Sequence, residues 1–165
     1  MSTFTRDQDA ERVRKAEESI KNSPYNLESW SVLIRHAQKM SDVKKARRIY
    51  ESLLKHFPTS GRYWRLYIEQ ELGVNHPNWD HVERLFKRCL NNVLNVDLWK
   101  VYLNYIRQHK CKQIRGEGHN NGDPVHRERN QMVDSYEFAL SKVGLDIHSF
   151  SIWNDYISYG AFGNE

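Results

Sequence analysis

Three tryptophans recur at nearly equal intervals along this chain of 165 residues: Trp30, Trp64 and Trp99 are 34 and 35 residues apart. A period of about 34 residues corresponds to one helical hairpin, and such a hairpin can bury its apolar face only against its neighbours. The spacing therefore predicts a repeat array whose hydrophobic core is shared along the chain rather than gathered around one centre.

Each tryptophan opens the same apolar pattern. Large apolar residues follow three and four positions later, as Tyr67 and Ile68 follow Trp64. A fourth copy begins at Trp153, with Tyr156 three positions later. Because positions 0, +3 and +4 share one face of an α-helix, the pattern predicts four copies of an amphipathic first helix, helix A.

A second apolar pattern lies behind each of the first three copies of helix A. In the first copy Ala46, Tyr50 and Leu53 fall at helical spacing, and Phe86 and Tyr136 take the place of the tyrosine in the next two. This spacing predicts a second amphipathic helix, helix B. An aromatic residue therefore anchors both helices of a repeat. The predicted core anchors are Trp30, Tyr50, Trp64, Tyr67, Phe86, Trp99, Tyr102, Tyr136, Trp153 and Tyr156.

Prolines mark two of the boundaries between hairpins. Pro24 and Pro58 each stand six residues before a repeat tryptophan, where proline ends one helix and opens the next. The corresponding places before the third and fourth tryptophans hold Val93 and Ile147. Two of the four copies therefore lack this signal.

These patterns predict an all-α protein, a right-handed α–α superhelix (α-solenoid) of helical hairpins. We expect a disordered N-terminus over residues 1–7 and the array over residues 8–165. Residues 8–22 align with a partial helix B that covers the open end of the array. The expected repeats are residues 26–57, 60–92 and 95–143, followed by an incomplete fourth repeat over 148–160.

The third repeat is longer than the others. Trp99 and Tyr136 are 37 residues apart, whereas Trp30 and Tyr50 are 20 apart. The extra residues coincide with 110–124, which contain three glycines, a proline and few apolar side chains. Since such a segment does not offset its ordering entropy, we expect a mobile loop between the two helices.

Composition excludes several classes of protein. No run of about 18 apolar residues occurs, so no membrane-spanning helix is expected. Met1 to Arg14 are polar and charged, without the apolar core of a secretory signal. The two cysteines, Cys89 and Cys111, do not form a disulfide framework, which favours a reducing cytosolic or nuclear compartment.

The repeats resemble a known repeat type at the residue level. Helix A reads Trp-x-x-Tyr-Ile-Glu over residues 64–69, and helix B reads Ala-Arg-x-Ile-Tyr-Glu over residues 46–51. Both resemble the half-a-TPR (HAT) repeat. Ordinary tetratricopeptide repeats favour Gly or Ala where their helices meet, whereas this chain has bulky aromatic residues there.

Among HAT proteins, the suppressor-of-forked family is similar to this chain in three stretches. These are His-Phe-Pro-Thr-Ser-Gly-Arg-Tyr-Trp-Arg-Leu-Tyr-Ile-Glu over 56–69, Leu-Phe-Lys-Arg-Cys-Leu over 85–90 and Asp-Leu-Trp-Lys-Val-Tyr-Leu over 97–103. That family provides the scaffold subunit of the cleavage stimulation factor. The resemblance runs from Glu11 to Tyr159, apart from the insertion.

The resemblance implies a nuclear scaffold for protein–protein interaction in pre-mRNA 3′-end cleavage and polyadenylation. Its partners would be proteins of that machinery, and its association with RNA would be indirect. The family homodimerises through a C-terminal half of a longer array, so this chain corresponds to the N-terminal portion. The alternative within the repeat class is a HAT scaffold of another RNA-processing complex, either spliceosomal or concerned with ribosomal RNA.

Two clusters of basic residues raise the further alternative of direct RNA binding. Lys44 and Arg48 share one helix face, as do Arg84 and Arg88. The net charge of +4 is modest, and acidic residues interleave with the basic ones. A solvated helix face with intrahelical charge pairs is the simpler interpretation.

No pattern in the sequence indicates catalysis. His109, Cys111, His119 and His126 lie in or beside the insertion, but their spacing matches no established zinc pattern. The sequence contains neither a phosphate-binding loop nor a nucleophile elbow. We therefore expect no enzymatic activity, no cofactor and no metal.

Overall fold

The described part of the protein consists of helices. A computed structural model describes residues 2–116 and 123–161, and every regular element within them is helical. None of these helices combines the length and the apolar character needed to cross a bilayer. The described helices are α1 (Ser2–Asn22), α2 (Leu27–Lys39), α3 (Val43–His56), α4 (Gly61–Leu72), α5 (Trp79–Cys89), α6 (Val96–Tyr105), α7 (Cys111–Gly116), α8 (Pro124–Val143) and α9 (Phe150–Ala161), with a π-helical turn over Ile106–Lys110.

The chain divides into two compact units, Met1–Val74 and Asn75–Glu165. The first contains α1 to α4, and the second contains α5 to α9. Within the first unit α1 to α4 pack in chain order, and within the second unit α8 packs against α6, α7 and α9, so the predicted all-α class and helical-repeat architecture are confirmed. Each unit has a core of its own, made by the inward faces of its helices. The largest fully buried side chains are Trp30, Leu33, Tyr50, Leu53, Tyr67 and Ile68 in the first unit, and Leu85, Leu98, Trp99, Met132, Tyr136 and Ile152 in the second.

Polar side chains cap the N-termini of five helices. In each case an Asn or Asp just before the helix accepts a hydrogen bond from a backbone amide of the first turn, which satisfies a donor that has no partner within the helix. These caps fix where the five helices begin. The capping residues are Asn26, Asp42, Asn78, Asn95 and Asp123.

The N-terminal helix is longer than the sequence suggested. We expected disorder over residues 1–7, but α1 begins at Ser2. The segment Ser2–Asn22 contains neither glycine nor proline, so nothing interrupts helix propagation. Within it, Arg14 forms ion pairs with both Glu11 and Glu18, one helical turn away on either side.

The repeated tryptophans make a polar contact as well as an apolar one. The indole N–H of Trp30 donates to the carbonyl oxygen of Pro24 at 2.7 Å, and that of Trp64 donates to the carbonyl of Pro58 at the same distance. The proline before each hairpin therefore fixes the orientation of its tryptophan. Trp99 lacks the proline, and its buried indole nitrogen has no hydrogen-bond partner among the described residues.

A buried aromatic pair joins three helices of the first unit. The rings of Tyr50 in α3 and Tyr67 in α4 stack with centroids 5.0 Å apart and planes inclined by 4°. The Tyr50 hydroxyl donates to the side-chain oxygen of Gln70, whose amide nitrogen donates to the carbonyl of Ala37 in α2, at 2.8 and 2.7 Å. Burial raises the pKa of Tyr50 to about 12, so its hydroxyl stays protonated at neutral pH.

An ion pair also links α3 to α4. The Arg47 guanidinium donates two hydrogen bonds to the carboxylate of Glu71, at 2.7 and 2.6 Å. The Glu71 side chain is only 2% exposed, whereas that of Arg47 is 28% exposed. The contact with this carboxylate raises the pKa of Arg47, since it favours the charged guanidinium.

In the second unit, aromatic side chains of α6 fill the space between α5 and α8. Phe86 of α5 lies 5.3 Å from Tyr102 and 5.2 Å from Tyr105, measured between ring centroids. Trp99 meets Phe138 of α8 edge to face at 5.1 Å. The aromatic packing predicted from the repeat pattern is thus present within this unit too, with different partners at each position.

The inserted segment is helical in its first part. We expected a loop over residues 110–124, but α6 continues through the π-helical turn into α7, where Cys111 is buried. Lys110 forms an ion pair with Glu83 of α5, and Arg115 forms one with Glu128 of α8. These contacts order the extension, and its first glycine is Gly116, the last residue of α7. Residues 117–122 fall outside the described residues.

Within the described residues the indole N–H of Trp30 is hydrogen-bonded and that of Trp99 is not, so substitution by phenylalanine should destabilise the protein to different extents at the two positions. Trp30→Phe leaves the Pro24 carbonyl without its donor, whereas Trp99→Phe removes a buried donor that has no partner among the described residues. We expect Trp30→Phe to lower the free energy of unfolding by about 1–2 kcal/mol more than Trp99→Phe. Urea denaturation followed by circular dichroism measures both values. Equal losses would contradict the role given to the proline carbonyl.

The stability lost by substituting Arg47 should be partly restored by a second substitution at Glu71. Arg47→Met keeps the length of the side chain but leaves the Glu71 carboxylate buried without its cation, and we expect a loss of about 3 kcal/mol. Adding Glu71→Gln removes the buried charge and should recover at least half of that loss. Thermal or urea unfolding of the two variants checks this. If the double variant is no more stable than Arg47→Met, the loss has another origin.

Candidate protein-docking site

Most of the predicted core anchors lie inside the protein and are not available to a partner. Seven of the ten are buried: Trp30, Tyr50, Trp64, Tyr67, Phe86, Trp99 and Tyr136. The side chains of Tyr102 and Tyr156 are partly exposed, and that of Trp153 is 41% exposed. The three exceptions all lie in the second unit and mark the two apolar surfaces of that unit that a partner could contact.

The last hairpin presents an apolar surface formed by α9 and the turn before it, which we call the α9 face. Trp153 departs from the expectation of a core anchor, since its side chain is 41% exposed while its neighbour Ile152 is only 1% exposed. Position −1 relative to the tryptophan is also buried in the first and third copies, at Ser29 and Leu98, but there the tryptophan is buried too. The exposed side chains of the α9 face are Leu145, Ile147, Phe150, Trp153 and Ile157.

The turn between α8 and α9 holds the α9 face in place. The indole N–H of Trp153 and the hydroxyl of Ser149 both donate to the carbonyl oxygen of Gly144, at 3.0 Å each. A side chain at Gly144 would meet the backbone oxygen of Leu140 at 2.4 Å and the Trp153 ring at 3.3 Å, so only glycine fits there. Tyr136 of α8 contacts Tyr156 at 5.7 Å between ring centroids. One side of α9 is therefore fixed against α8, and the other side is exposed.

A second surface is a groove of ≈ 430 Å³ between α5, α6 and α8, which we call the aromatic groove. Two of its lining rings are accessible to a ligand: Tyr102 is half-exposed, and Phe138 is 38% exposed. Concave, mostly apolar sites with a few fixed polar groups are typical of ligand and peptide binding. The side chains that line the groove are Glu83, Phe86, Lys87, Leu90, Asn91, Tyr102, Tyr105, Ile106, Lys110, Gln131 and Phe138.

Polar groups at the rim of the aromatic groove are held in fixed positions. The Tyr105 hydroxyl donates to the Glu83 carboxylate at 3.1 Å, and Lys110 pairs with the same carboxylate. The Lys110 ammonium group lowers the pKa of Glu83, so this acid is ionised at neutral pH. Lys87 lies beside them, exposed and without an ion pair among the described residues. The rim therefore offers a cation to an acidic group of a ligand.

Two of the residues that line this groove were predicted from the sequence as core anchors, Phe86 and Tyr102. Tyr105 and Phe138 were not predicted, because they lie outside the 0, +3, +4 pattern. The available signal was the spacing of Phe138, two residues after Tyr136, which places the two rings on different faces of one helix.

The predicted basic clusters lie on exposed helix faces. Lys44 and Arg48 are exposed on α3 in the first unit, and Arg84 and Arg88 are exposed on α5 in the second. Intrahelical charge pairs were the simpler interpretation of these faces. On α5, Glu83 instead pairs with Lys110, which lies in the π-helical turn.

The histidines and cysteines of the insertion do not converge in the described residues. His109 stacks on Trp79 at 3.6 Å between ring centroids, and Cys111 is buried with its sulfur 3.9 Å from the carbonyl of Glu128. His126 is exposed, and His119 lies outside the described residues. No group of three potential metal ligands occurs in residues 2–116 and 123–161.

Burial makes the cysteine thiols weak acids. It raises the pKa of Cys89 to about 12 and also raises that of Cys111. A thiol needs its deprotonated form to act as a nucleophile or a metal ligand. The two side chains are therefore suited to packing rather than to chemistry.

Comparison with known proteins places the chain in a family. Residues 11–163 match the family described as Suppressor of forked protein (Suf). The chain is 45% identical over 149 residues to "Protein suppressor of forked" of Drosophila melanogaster, a match that covers 90% of this chain and 18% of that protein. It therefore spans less than a fifth of the length of that relative.

Relatives from a fungus and a plant support the same family. The chain is 34% identical over 147 residues to "mRNA 3'-end-processing protein rna14" of Schizosaccharomyces pombe, covering 89% of this chain and 18% of that protein. It is 36% identical over 119 residues to "Cleavage stimulation factor subunit 77" of Arabidopsis thaliana, covering 72% of this chain and 14% of that protein. Since the matched residues include most of α1 and nearly all of the other helices, the chain belongs to the suppressor of forked family.

Proposed function

We propose that this chain is a protein–protein interaction scaffold in pre-mRNA 3′-end cleavage and polyadenylation, acting in the nucleus as the N-terminal portion of a cleavage stimulation factor scaffold subunit. The family match over residues 11–163 carries this proposal, because relatives that match most of the chain are named for 3′-end processing and for the cleavage stimulation factor. The assignment follows from this kinship, since a helical-repeat fold alone serves many functions.

The side chains support a binding role rather than a catalytic one. The thiols of Cys89 and Cys111 are buried and protonated, and the aromatic hydroxyls of the core are engaged in hydrogen bonds between helices. We propose that the chain has no enzymatic activity and needs no cofactor. Its contribution is to hold other processing factors on exposed surfaces.

The aromatic groove is the surface that we assign to these factors. It combines half-exposed rings at Tyr102 and Phe138 with the free ammonium group of Lys87. A partner segment with an apolar side chain and a neighbouring acidic residue would satisfy both features, the first by burial and the second by charge. We propose that the basic faces of α3 and α5 do not bind RNA directly.

The α9 face has a different role in this proposal. Its five side chains Leu145, Ile147, Phe150, Trp153 and Ile157 are large, apolar and exposed, and the acid between the first two, Asp146, accepts a hydrogen bond from the backbone amide of His148. In a repeat array each hairpin buries such a face against its neighbour. We propose that a further helical hairpin of the array covers the α9 face and that processing factors bind elsewhere.

A capture experiment tests the assignment to the aromatic groove. The tagged chain is incubated with nuclear extract, and retained cleavage and polyadenylation subunits are identified with antibodies. We expect Lys87→Glu and Phe138→Glu each to reduce their retention at least fivefold. Because Phe138 also touches Trp99, the exposed Lys87 provides the variant that leaves the core intact.

Val125→Glu is the matched control, since Val125 is exposed on the same helix as Phe138 but does not line the groove. It should retain as much as the unmodified chain. Full retention by Lys87→Glu and Phe138→Glu would remove the groove from the proposal. Retention of splicing or ribosomal-RNA processing factors in place of cleavage and polyadenylation subunits would contradict the function itself.

A further inference from the structure

The net positive charge of the chain is carried by its first unit. Met1–Val74 contain 14 basic and 10 acidic residues, whereas Asn75–Glu165 contain 11 of each. The whole excess of +4 therefore lies in α1 to α4 and the segments that join them. A charge of one sign that is confined to one unit attracts ligands of the opposite sign to that unit.

Within the first unit, three basic side chains that form no ion pair with a described residue line one groove between α1 and α2. The groove has a volume of ≈ 200 Å³. Asp9, Arg12 and Val13 line it from α1, at positions that share one helix face. Val32, Arg35, His36 and Lys39 line it from α2, at spacings of three, four and seven residues. Three permanent positive charges and one imidazole thus face a single carboxylate.

The basic side chains of the groove differ from their neighbours in having no counter-charge. Arg14 and Lys15, on another part of α1, both pair with Glu11. Arg12, Arg35 and Lys39 form no ion pair with any described residue and are exposed. Because three cations outnumber the single carboxylate of Asp9 in the groove, they repel one another, and a bound anion relieves that repulsion.

The lining of the groove indicates what kind of anion fits. Its only apolar side chains are Val13 and Val32, so it has no aromatic or large aliphatic group on which a peptide could anchor. Binding energy there must come from charge. Two arginines supply planar forks of donors that match phosphate oxygens. A ligand with a regular series of phosphates would place one in the groove and others beside it.

We propose that the α1–α2 groove binds the phosphate backbone of single-stranded RNA, independently of sequence. Arg12, Arg35 and Lys39 contact the phosphates, and the Asp9 carboxylate weakens binding because it repels them. No phenylalanine, tyrosine or tryptophan ring lines the groove, so the contacts that we assign there are to phosphates rather than to bases. This goes beyond the docking of protein factors, which concerns the second unit, and it uses residues outside the basic clusters on α3 and α5.

The direct test is the binding of a fluorescently labelled single-stranded RNA of about 15 nucleotides to the full chain, followed by anisotropy at several salt concentrations. Three phosphate contacts predict that log K falls with log salt with a slope of about −2, which is roughly a 20-fold loss of affinity between about 50 and about 200 mM salt. Arg35→Gln with Lys39→Gln should leave a slope near −0.7, as expected for one remaining contact.

The chain offers a matched control and a variant with the opposite effect. Lys44→Gln with Arg48→Gln removes the same charge from exposed positions of α3 in the same unit, and it should leave the slope unchanged. Asp9→Asn removes the one acid of the groove and should tighten binding severalfold, up to the roughly fivefold that one phosphate contact is worth at about 0.1 M salt. A merely structural role for these surface residues would not produce a gain.

Three outcomes would overturn the proposal: no binding of RNA at low salt, an equal loss from the α3 control, or no gain from Asp9→Asn. A polyglutamate peptide of matched length and charge serves as the competing ligand. If the peptide binds more tightly than RNA and loses affinity in the Arg35→Gln, Lys39→Gln variant, the groove is a site for acidic protein segments instead. Circular dichroism confirms that each variant is folded.

Discussion

A helical hairpin in this chain cannot bury its apolar face by itself, and the stacked pair of Tyr50 and Tyr67 shows how the first unit meets that constraint. The two rings close α3 onto α4, and Gln70 connects them to the backbone of α2. One contact therefore joins three successive helices, and it uses the flat apolar faces and the polar edges of the same side chains. The bidentate pair between Arg47 and Glu71 reinforces the junction of α3 and α4.

The tryptophan period was sufficient to predict the fold, because the same burial requirement recurs in every copy. The burial of a residue was harder to predict where it depends on which neighbouring helix covers that residue. Trp153 repeats the pattern of Trp30 and yet is 41% exposed, because among the described helices only α8 packs extensively against α9. The insertion misled composition-based reasoning for a similar reason. Contacts of Lys110 and Arg115 with neighbouring helices order its first part, and no local property of the segment reveals those contacts.

The candidate sites were less visible in the sequence than the core. Core anchors repeat and so stand out, whereas surface residues become a site only when two or three helices bring them together. Phe138 and Lys87 are 51 positions apart in sequence, and Arg12 and Lys39 are 27 positions apart. The two units differ in what they present: the first carries unpaired positive charge, and the second carries exposed rings beside a free lysine. If both proposals hold, RNA and protein ligands would bind to different units of the chain.

Native-state hydrogen exchange tests most directly whether shared aromatic contacts, rather than each helix separately, stabilise the array. The amides of Leu33, Leu53 and Ile68 report on α2, α3 and α4 in turn. Tyr50→Phe removes only the hydroxyl that reaches Gln70. We expect all three amides to open with one free energy in the unmodified chain and to lose about 1 kcal/mol together in the variant. A loss confined to Leu53, or three unrelated opening energies, would contradict the account.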